Sequence, residues 1–302
     1  WRSWTRAHKR GAFFFSTNVQ FLNYWGLNFD TFYSPPSMSD VATRGGPLMV
    51  DPRSTSFTVR GSTDARRPIV LRPNFNYVNR FEAGYEWRAG LPVAVRPVPS
   101  VEVELQPTVQ GELDPAQYVA AVSDAAYTPT YGRRYVFSDL ERRTVSMQTR
   151  LNLTFSPKLT FQLFAQPLLS SGDYLTYKQL EAAETFDFDT FEEGTAAVTG
   201  SAVSCLGGRT CVNDGRRYVD FDADGLPDVS FSDRDFNFRS LRMNAVLRWE
   251  YRPGSTLFLV WQQSRSEAEG VGSFEFGRDF RALWDVAPDN VFIAKLNYWL
   301  GL

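Results

Sequence analysis

The chain has 302 residues, of which 43% are hydrophobic, and its formal net charge is −2 at pH 7. This near-neutral charge, without blocks of like charge, excludes a partner held by electrostatics alone, such as nucleic acid. The mean hydropathy of −0.30 and the lack of an 18-residue apolar run exclude a transmembrane helix. A membrane-crossing strand shows lipid only every second side chain, so its mean hydropathy stays low.

The chain opens with Trp1-Arg2-Ser3-Trp4, without an initiator Met or a signal peptide. This start predicts a processed or truncated product whose export signal lies upstream.

Apolar side chains recur at every second position through most of the chain, which predicts β-strands. The predicted apolar faces, in chain order, are Phe13, Phe15, Val19 and Phe21; Trp25, Leu27 and Phe29; Phe57 and Val59; Ile69, Leu71, Phe75 and Tyr77; the odd positions of 81–95; Val101, Val103, Leu105 and Val109; the odd positions of 145–155; Leu159, Phe161, Leu163 and Ala165; the odd positions of 241–251; Leu257, Leu259 and Trp261; and the even positions of 294–302.

The predicted strands are long. They run to roughly 10 to 16 residues, against a usual 5 to 6 in soluble sheets and about 9 to 11 for a tilted strand that crosses a bilayer. Aromatic residues also gather near the predicted strand ends, which is typical of interfacial girdles, although aromatic residues favour strands in general. These aromatic residues are Tyr24, Trp25, Trp249, Tyr251, Tyr298 and Trp299.

Short and long connections alternate along the chain. Short turns are predicted near Asn23-Tyr24, Ser62–Arg66, Arg96–Ser100, Ser156–Lys158 and Arg252–Ser255, and long loops over Ser34–Pro52, Ser123–Glu141, Ser171–Asp235 and Ser266–Asp289. Because outer-membrane barrels have short periplasmic turns and longer outside loops, this order gives a consistent up-and-down path. The weak point is the link near Val78–Arg80, which is short but must lie outside.

The predicted fold is therefore an all-β, antiparallel, up-and-down transmembrane β-barrel of about 12 or more strands. It occupies residues 1–302, with 171–235 as a long extracellular insertion. About eleven spanning strands can be counted and the first runs inward, so an earlier strand is missing or Trp1–Arg10 forms part of it. Because an open sheet edge cannot face lipid, a protein partner or a missing N-terminal region is expected to close the wall.

Polar side chains on the opposite face of these strands are predicted to line a water-filled lumen. They are Glu82, Glu86, Arg88, Glu102, Glu104, Gln148, Arg150, Asn152, Arg242, Asn244, Arg248, Glu250, Lys295 and Asn297. Glutamates on adjacent strands could instead approach each other, and paired carboxylates can hydrolyse glycosides. No triad, zinc or phosphate-loop spacing is present and the single histidine is His8, so enzymatic activity is not expected.

Two further features lie in the predicted insertion. Asp220, Asp222, Asp224 and Asp228 surround Gly225 in a pattern that resembles the start of a calcium loop, although Phe231 takes the place of the closing acid. The alternative is an acidic solvated loop with Asx turns. Cys205 and Cys211 are separated by a Gly-rich stretch that can close a small loop, which predicts a disulfide in an oxidising compartment; the alternative is two free thiols.

Several longer segments resemble a known bacterial domain. They are Tyr131–Leu140, Ala165–Pro167 with Ser170–Tyr174, Asp235–Arg242, Ala245–Phe258 and Asn290–Leu300. Together they are similar to the C-terminal barrel, a domain of unknown function, of bacterial proteins that carry an N-terminal family-9-like carbohydrate-binding domain. The resemblance implies an outer-membrane location and an upstream β-sandwich domain, and it brings no catalytic residues.

These observations lead to three functional hypotheses. The first is a channel or transporter-like component that handles carbohydrate-type solutes, and the second is a non-conducting anchor or scaffold of an envelope assembly. The third, a surface hydrolase that uses Glu86, is the least favoured. The expected partners are the lipid bilayer of the bacterial outer membrane and the barrel assembly machinery during insertion, with no cofactor apart from the calcium hypothesis.

Overall fold

The computed structural model describes residues 11–81 and 83–300, and it is built almost entirely of strands. The predictions for Trp1–Arg10, Glu82 and Leu302 concern residues outside this described part. The strands are β1 Phe13–Gln20, β2 Gly26–Ser34, β3 Ser37–Ser39, β4 Met49–Asp51, β5 Ser54–Ser62, β6 Ile69–Leu71, β7 Asn74–Arg80, β8 Tyr85–Gly90, β9 Val93–Val98, β10 Val101–Ser123, β11 Arg133–Ser156, β12 Leu159–Leu180, β13 Phe188–Thr190, β14 Thr195–Thr199, β15 Ala202–Leu206, β16 Thr210–Asn213, β17 Arg216–Val219, β18 Val229–Ser232, β19 Phe236–Arg252, β20 Ser255–Glu269 and β21 Asp289–Asn297, and the helix is α1 Phe276–Asp285.

One antiparallel sheet contains the main strands in the order β1-β2-β5-β7-β8-β10-β11-β12-β19-β20-β21. Every neighbour in the sheet is also the next spanning strand of the chain, so the topology is up-and-down and the predicted fold class is confirmed. The short strands β6 and β9 continue β7 and β8 past brief interruptions and pair with each other. Within the described residues no ladder joins β1 to β21, so closure of the wall stays a prediction.

No helix in the described part of the chain is long and apolar enough to cross a membrane.

The strand register assembles the alternating apolar positions into one continuous belt on one face of the sheet, the face that the predicted barrel turns outward. On β11, Leu151 lies between Val103 of β10 and Leu163 of β12. The same row then continues through Ala245 and Trp261. A one-residue slip would move this whole set to the other face, so the apolar pattern itself specifies the register.

The belt is staggered from strand to strand. The outward residue Phe15 of β1 is linked by successive register partners to Arg143 of β11. The outward residue Phe292 of β21 is linked in the same way to Leu151, eight residues further along β11. Phe15 and Phe292 lie at an equivalent depth in the sheet, because each is followed by five residues before its strand ends at the short-turn side. Eight residues correspond to about 27 Å along the strands, and ten gaps between strands to about 48 Å across them, so the strands lean by roughly 30° from the normal to the belt. Membrane barrels show a comparable tilt of about 35–45°.

The connections differ in length between the two ends of the sheet, as predicted. The end that carries the long connections, which the prediction places outside the membrane, is called the outer end, and it also has one short link. Residues 81–84 connect β7 to β8 there, and Gly84 has a φ of +83°. A Cβ atom at Gly84 would lie 1.9 Å from the carbonyl oxygen of Leu113, so only glycine fits.

The strands β10, β11 and β12 have 23, 24 and 22 residues, longer than the 10 to 16 predicted. They continue beyond the belt at the outer end. The predicted loops Ser123–Glu141 and Ser171–Asp235 were therefore too long, and the connecting segments are 124–132 and 181–235. Register shifts between Asp114 and Gln117 and between Tyr118 and Ala120 break the alternation of side chains there. A search for apolar residues at every second position therefore does not detect this part of the strands.

The segment 181–235 is itself folded. It contains the hairpin β14-β15 and the three-stranded sheet β16-β17-β18. The predicted disulfide between Cys205 and Cys211 is confirmed, and it connects these two small sheets. Two buried clusters hold the extended strands to their surroundings: Val119, Val136, Tyr177, Phe191, Val219 and Phe221 form one, and Met49, Tyr135, Phe137 and Leu180 form the other.

Candidate functional site

The polar face of the large sheet is the main candidate surface. All predicted lumen-lining residues that the structure describes lie on this face, because their register partners connect them from β8 to β21. Whether this face encloses water stays a prediction.

Arg60 organises the polar face of the first strands. Its guanidinium donates to Asn28 Oδ1 at 2.9 Å and to Asp30 Oδ2 at 2.5 Å. Asp30 also accepts a hydrogen bond from the Ser16 hydroxyl at 2.6 Å. The charge of Arg60 is therefore neutralised within the sheet, and amide and hydroxyl groups remain around it.

A second network crosses β8 and β10. Arg88 donates to Gln110 Oε1 at 2.7 Å, and Gln110 donates to Glu86 Oε1 at 3.2 Å. Glu86 also lies 3.7 Å from Arg80, which links its carboxylate to β7. Each charged group of this row thus has a partner of opposite charge or an amide beside it.

Glu86 and Glu102, two of the glutamates predicted as alternative catalytic partners, are not brought together. Glu86 lies opposite Glu112, whereas Glu102 lies ten residues earlier on β10. That separation is about 33 Å along a strand. Retaining and inverting glycosidases hold their carboxyl groups about 5–10 Å apart, so Glu86 and Glu102 cannot act as a pair. Glu102 is instead bound by Arg96, at 2.5 Å.

A recess of about 380 Å³ lies on the polar face of β11, β12 and β19. Arg150 lies over the ring of Phe164, with 5.7 Å between the guanidinium carbon and the ring centroid. Asn152 and Gln162 line the recess beside them. The buried Oδ1 of Asn244 has no hydrogen-bond partner among the described residues, and buried polar atoms are rarely left in that state.

The face is less polar towards the C-terminal strands than the sequence analysis predicted. Val246 of β19 lies opposite Val260 of β20, which lies opposite Ile293 of β21. Lys295 occupies the next polar-face position of β21 and lies opposite Phe258. The sequence alone does not reveal this apolar row, because on each strand its single apolar residue stands among polar residues of the same face, and only the register brings the three together.

A larger recess of about 710 Å³ lies near the short-turn end, on the first strands. Its polar lining consists of Asn18, Gln20, Asn28, Arg60, Ser62, Arg72 and Asn74. Apart from the two arginines, this lining consists of amides and one hydroxyl, groups that can both donate and accept hydrogen bonds.

At the outer end, Arg134 connects the wall to the segment 181–235. It donates to Asp124 at 2.6 Å and to Gln179 at 2.9 Å, and its guanidinium lies between the rings of Tyr127 and Phe221. The hydrogen bond from Arg134 lowers the pKa of Asp124, and burial raises the pKa of Tyr127. Both side chains therefore keep one protonation state around neutral pH.

The buried cluster around Val136 shows which face of the wall contacts this segment. Val136 and Gln148 lie an even number of residues apart on β11, so they share the polar face. Phe191, Val219 and Phe221 of the segment pack against Val136, on that face. The part of the segment from Phe191 onwards therefore folds over the outer end of the polar face, whereas Phe186 and Phe188 pack against Phe137 on the opposite face.

The predicted calcium residues form a compact loop. Carboxylate oxygens of Asp220, Asp222 and Asp224 lie within 4.8 Å of one another. Asp220 accepts backbone hydrogen bonds from Asp222, Ala223 and Gly225, and Asp228 accepts one from Phe221. Phe231, in the place of the closing acid, packs on Tyr177.

Both interpretations of this loop stay predictions, because Asx turns and calcium loops use the same backbone contacts. Calorimetric titration of calcium into chelator-treated protein distinguishes them. Heat that is lost in Asp222→Asn supports calcium, and no heat at millimolar calcium supports the solvated loop.

Comparisons with known proteins match part of these features. The family described as a domain of unknown function (DUF5916) matches residues 212–302, which contain β19 to β21 and α1. No curated protein sequence matches the chain. Among solved structures, a chain named copper transporter OprC is similar with a TM-score of 0.44 and 10% identity, over 96% of this chain and 42% of that one. The chain thus spans less than half the length of that protein, and its sequence likeness to the DUF5916 domain covers the last part of the segment 181–235 and the last three wall strands.

Proposed function

We propose that this chain is the wall of an outer-membrane β-barrel that lets polar, carbohydrate-type solutes pass along its polar face. The observation that carries the proposal is the sidedness of the sheet: an unbroken apolar belt on one face and a hydrogen-bonding surface on the other. In a soluble sheet the apolar face would be covered by a second layer, but in a bilayer it faces lipid. Assembly of such a wall requires a bilayer and, in the cell, the barrel assembly machinery.

The charge pattern of the polar face supports a neutral solute. Several of its arginines are paired with acids, as in Arg60–Asp30, Arg80–Glu86 and Arg142–Glu112. Arg88 and Arg150 instead contact an amide and an aromatic ring. The face also offers a solute many amide and hydroxyl groups, which can exchange hydrogen bonds with sugar hydroxyls. The Phe164 ring and the unpaired Asn244 oxygen of the smaller recess offer an apolar surface and an acceptor side by side.

Swelling of vesicles that contain the folded protein tests this proposal. We expect an uncharged oligosaccharide to enter faster than a charged solute of equal size, and a single-channel conductance in planar bilayers. Protein that is folded and inserted but neither conducts nor admits sugar would contradict it.

A second candidate function, a non-conducting anchor, is supported by the segment 181–235. Because this segment packs on the polar face through Phe191, Val219 and Phe221, it lies where it would obstruct the outer mouth of a lumen. Under this alternative the intact protein does not conduct. The hydrolase hypothesis loses the pair of Glu86 and Glu102, which are far apart, but it stays a prediction because Glu86 lies opposite another carboxylate, Glu112.

A further inference from the structure

The helix α1 lies on the same face of the sheet as the apolar belt. Its buried residue Leu283 packs against Leu169 of β12 and Leu241 of β19. Leu241 is paired in register with Pro167 of β12 and with Arg265 of β20. It shares its face of β19 with Ala245 and Leu247, which belong to the belt and lie nearer the short turns. The helix therefore sits at the outer edge of the belt.

Both ends of α1 are fixed to the wall. At the first turn, Asn237 of β19 donates a hydrogen bond to the carbonyl oxygen of Ser273 at 3.3 Å, and Arg278 of the helix donates to the same oxygen at 2.6 Å. At the other end, Arg265 donates to the carbonyl oxygens of Trp284 and Val286 at 2.7 and 3.0 Å. These bonds satisfy carbonyl groups that a helix C-terminus leaves free, so the helix cannot rotate without losing them.

The orientation fixed in this way leaves an aromatic stripe uncovered. Phe276, Phe280 and Trp284 recur every four residues, and their rings contact one another along one side of the helix. Their exposed fractions are 53, 37 and 49%. The charged residues Arg278 and Asp285 fall on the opposite side of the helical turn, and Arg281 falls on the flank beside Trp284.

We infer that α1 is an interfacial helix whose Phe276-Phe280-Trp284 stripe enters the lipid boundary at the outer edge of the belt. This inference rests on the proposed membrane location. Continuity with the belt favours lipid as the occupant, because the stripe begins where the outward apolar rows end. An amphipathic helix with aromatic residues on one side and charges on the other lies in the interface plane, and tryptophan favours headgroup depth. The helix then sets the depth of the outer rim of the wall.

Single-cysteine labelling tests the inference, and in each variant Phe276 and Trp284 of the stripe stay in place. The described chain has no free cysteine, so an environment-sensitive fluorophore can be attached at one chosen position. Three variants are compared in phosphatidylcholine vesicles with and without brominated acyl chains. Phe280→Cys reports the stripe, exposed Asp285→Cys reports the opposite side of the helix, and Leu259→Cys reports the belt.

We expect the label at 280 to lose emission at least about twofold with brominated lipid, because an interfacial helix buries its apolar side about 5–10 Å. The label at 259 should be quenched as well, and the label at 285 should not. Quenching at 259 without quenching at 280 overturns the inference and leaves the membrane assignment intact. Absence of quenching at 259 overturns the membrane assignment itself. A shielded but unquenched label at 280 that changes with protein concentration identifies a second copy as the occupant and also overturns the inference.

Discussion

Phe221→Ala is expected to release the segment 181–235 from the wall. Phe221 is 7% exposed, packs in the cluster with Val136 and Tyr177, and contacts the Arg134 guanidinium at 4.9 Å from its ring centroid. Truncation of a buried phenylalanine costs about 3–5 kcal/mol, and we take the lower end because the cluster is small. A loss of about 3 kcal/mol in the free energy of docking increases the undocked fraction of the segment on the order of 100-fold.

Hydrogen exchange read by mass spectrometry, together with conductance, measures this release. Exchange in β16 to β18 should accelerate while exchange in β11 and β12 stays unchanged, because the effect is confined to the docking contact. If the segment obstructs a lumen, conductance rises in the same variant. Val198→Ala is the matched control, since Val198 lies in the same segment and is 55% exposed.

Two outcomes would contradict the reasoning. Unchanged exchange in β16 to β18 would mean that Phe221 does not dock the segment. Faster exchange without any change in conductance would mean that the docked segment does not obstruct the path, which would remove the support for the anchor alternative.

Three further predictions concern other parts of the chain. Arg66 lowers the pKa of Asp64 from 3.8 to about 2, so ionised Asp64 stabilises its turn above pH 3.8, and this stabilisation is lost as the pH falls towards 2. Hydrogen exchange of the Arg66 amide, which donates to Asp64, measures the loss, and Asp64→Asn should abolish the pH dependence. Replacement of Cys205 and Cys211 by serine should cost about 2 kcal/mol for so short a loop and increase proteolysis only within 181–235, and cleavage in the wall strands would refute this. Arg60→Ala leaves Asp30 unpaired and should shift conductance towards cations about two- to tenfold, whereas Lys158→Ala, in an exposed turn, should not.

Much of the wall could be predicted from the alternation alone. Leu151 and Leu153 alternate with Arg150 and Asn152, and a strand is the only element that separates such residues by face. Because a register slip would expose the whole apolar set, the same pattern also specifies which strands pair. The order of short and long connections then specified the direction of each strand.

The outer end of the molecule could not be predicted in this way. There the strands no longer contact a uniform apolar medium but pack against local partners, so apolar residues such as Tyr135, Val136 and Phe137 follow one another without a period. The helix α1 is only ten residues long, and its one signal is the four-residue spacing of Phe276, Phe280 and Trp284. The separation of Glu86 from Glu102 depends on register over a long strand, which adjacency in sequence does not reveal.

The lean of the strands has a consequence for anything that moves along the polar face. Because hydrogen-bonding rows follow the register and not the membrane plane, groups at one depth come from different rows on different strands. The Asn and Arg side chains of the first strands and those of β11, β12 and β19 therefore lie along lines that are inclined to the membrane plane. A flexible oligosaccharide descending along them would exchange contacts a few at a time while turning, and would not meet a single ring of binding groups.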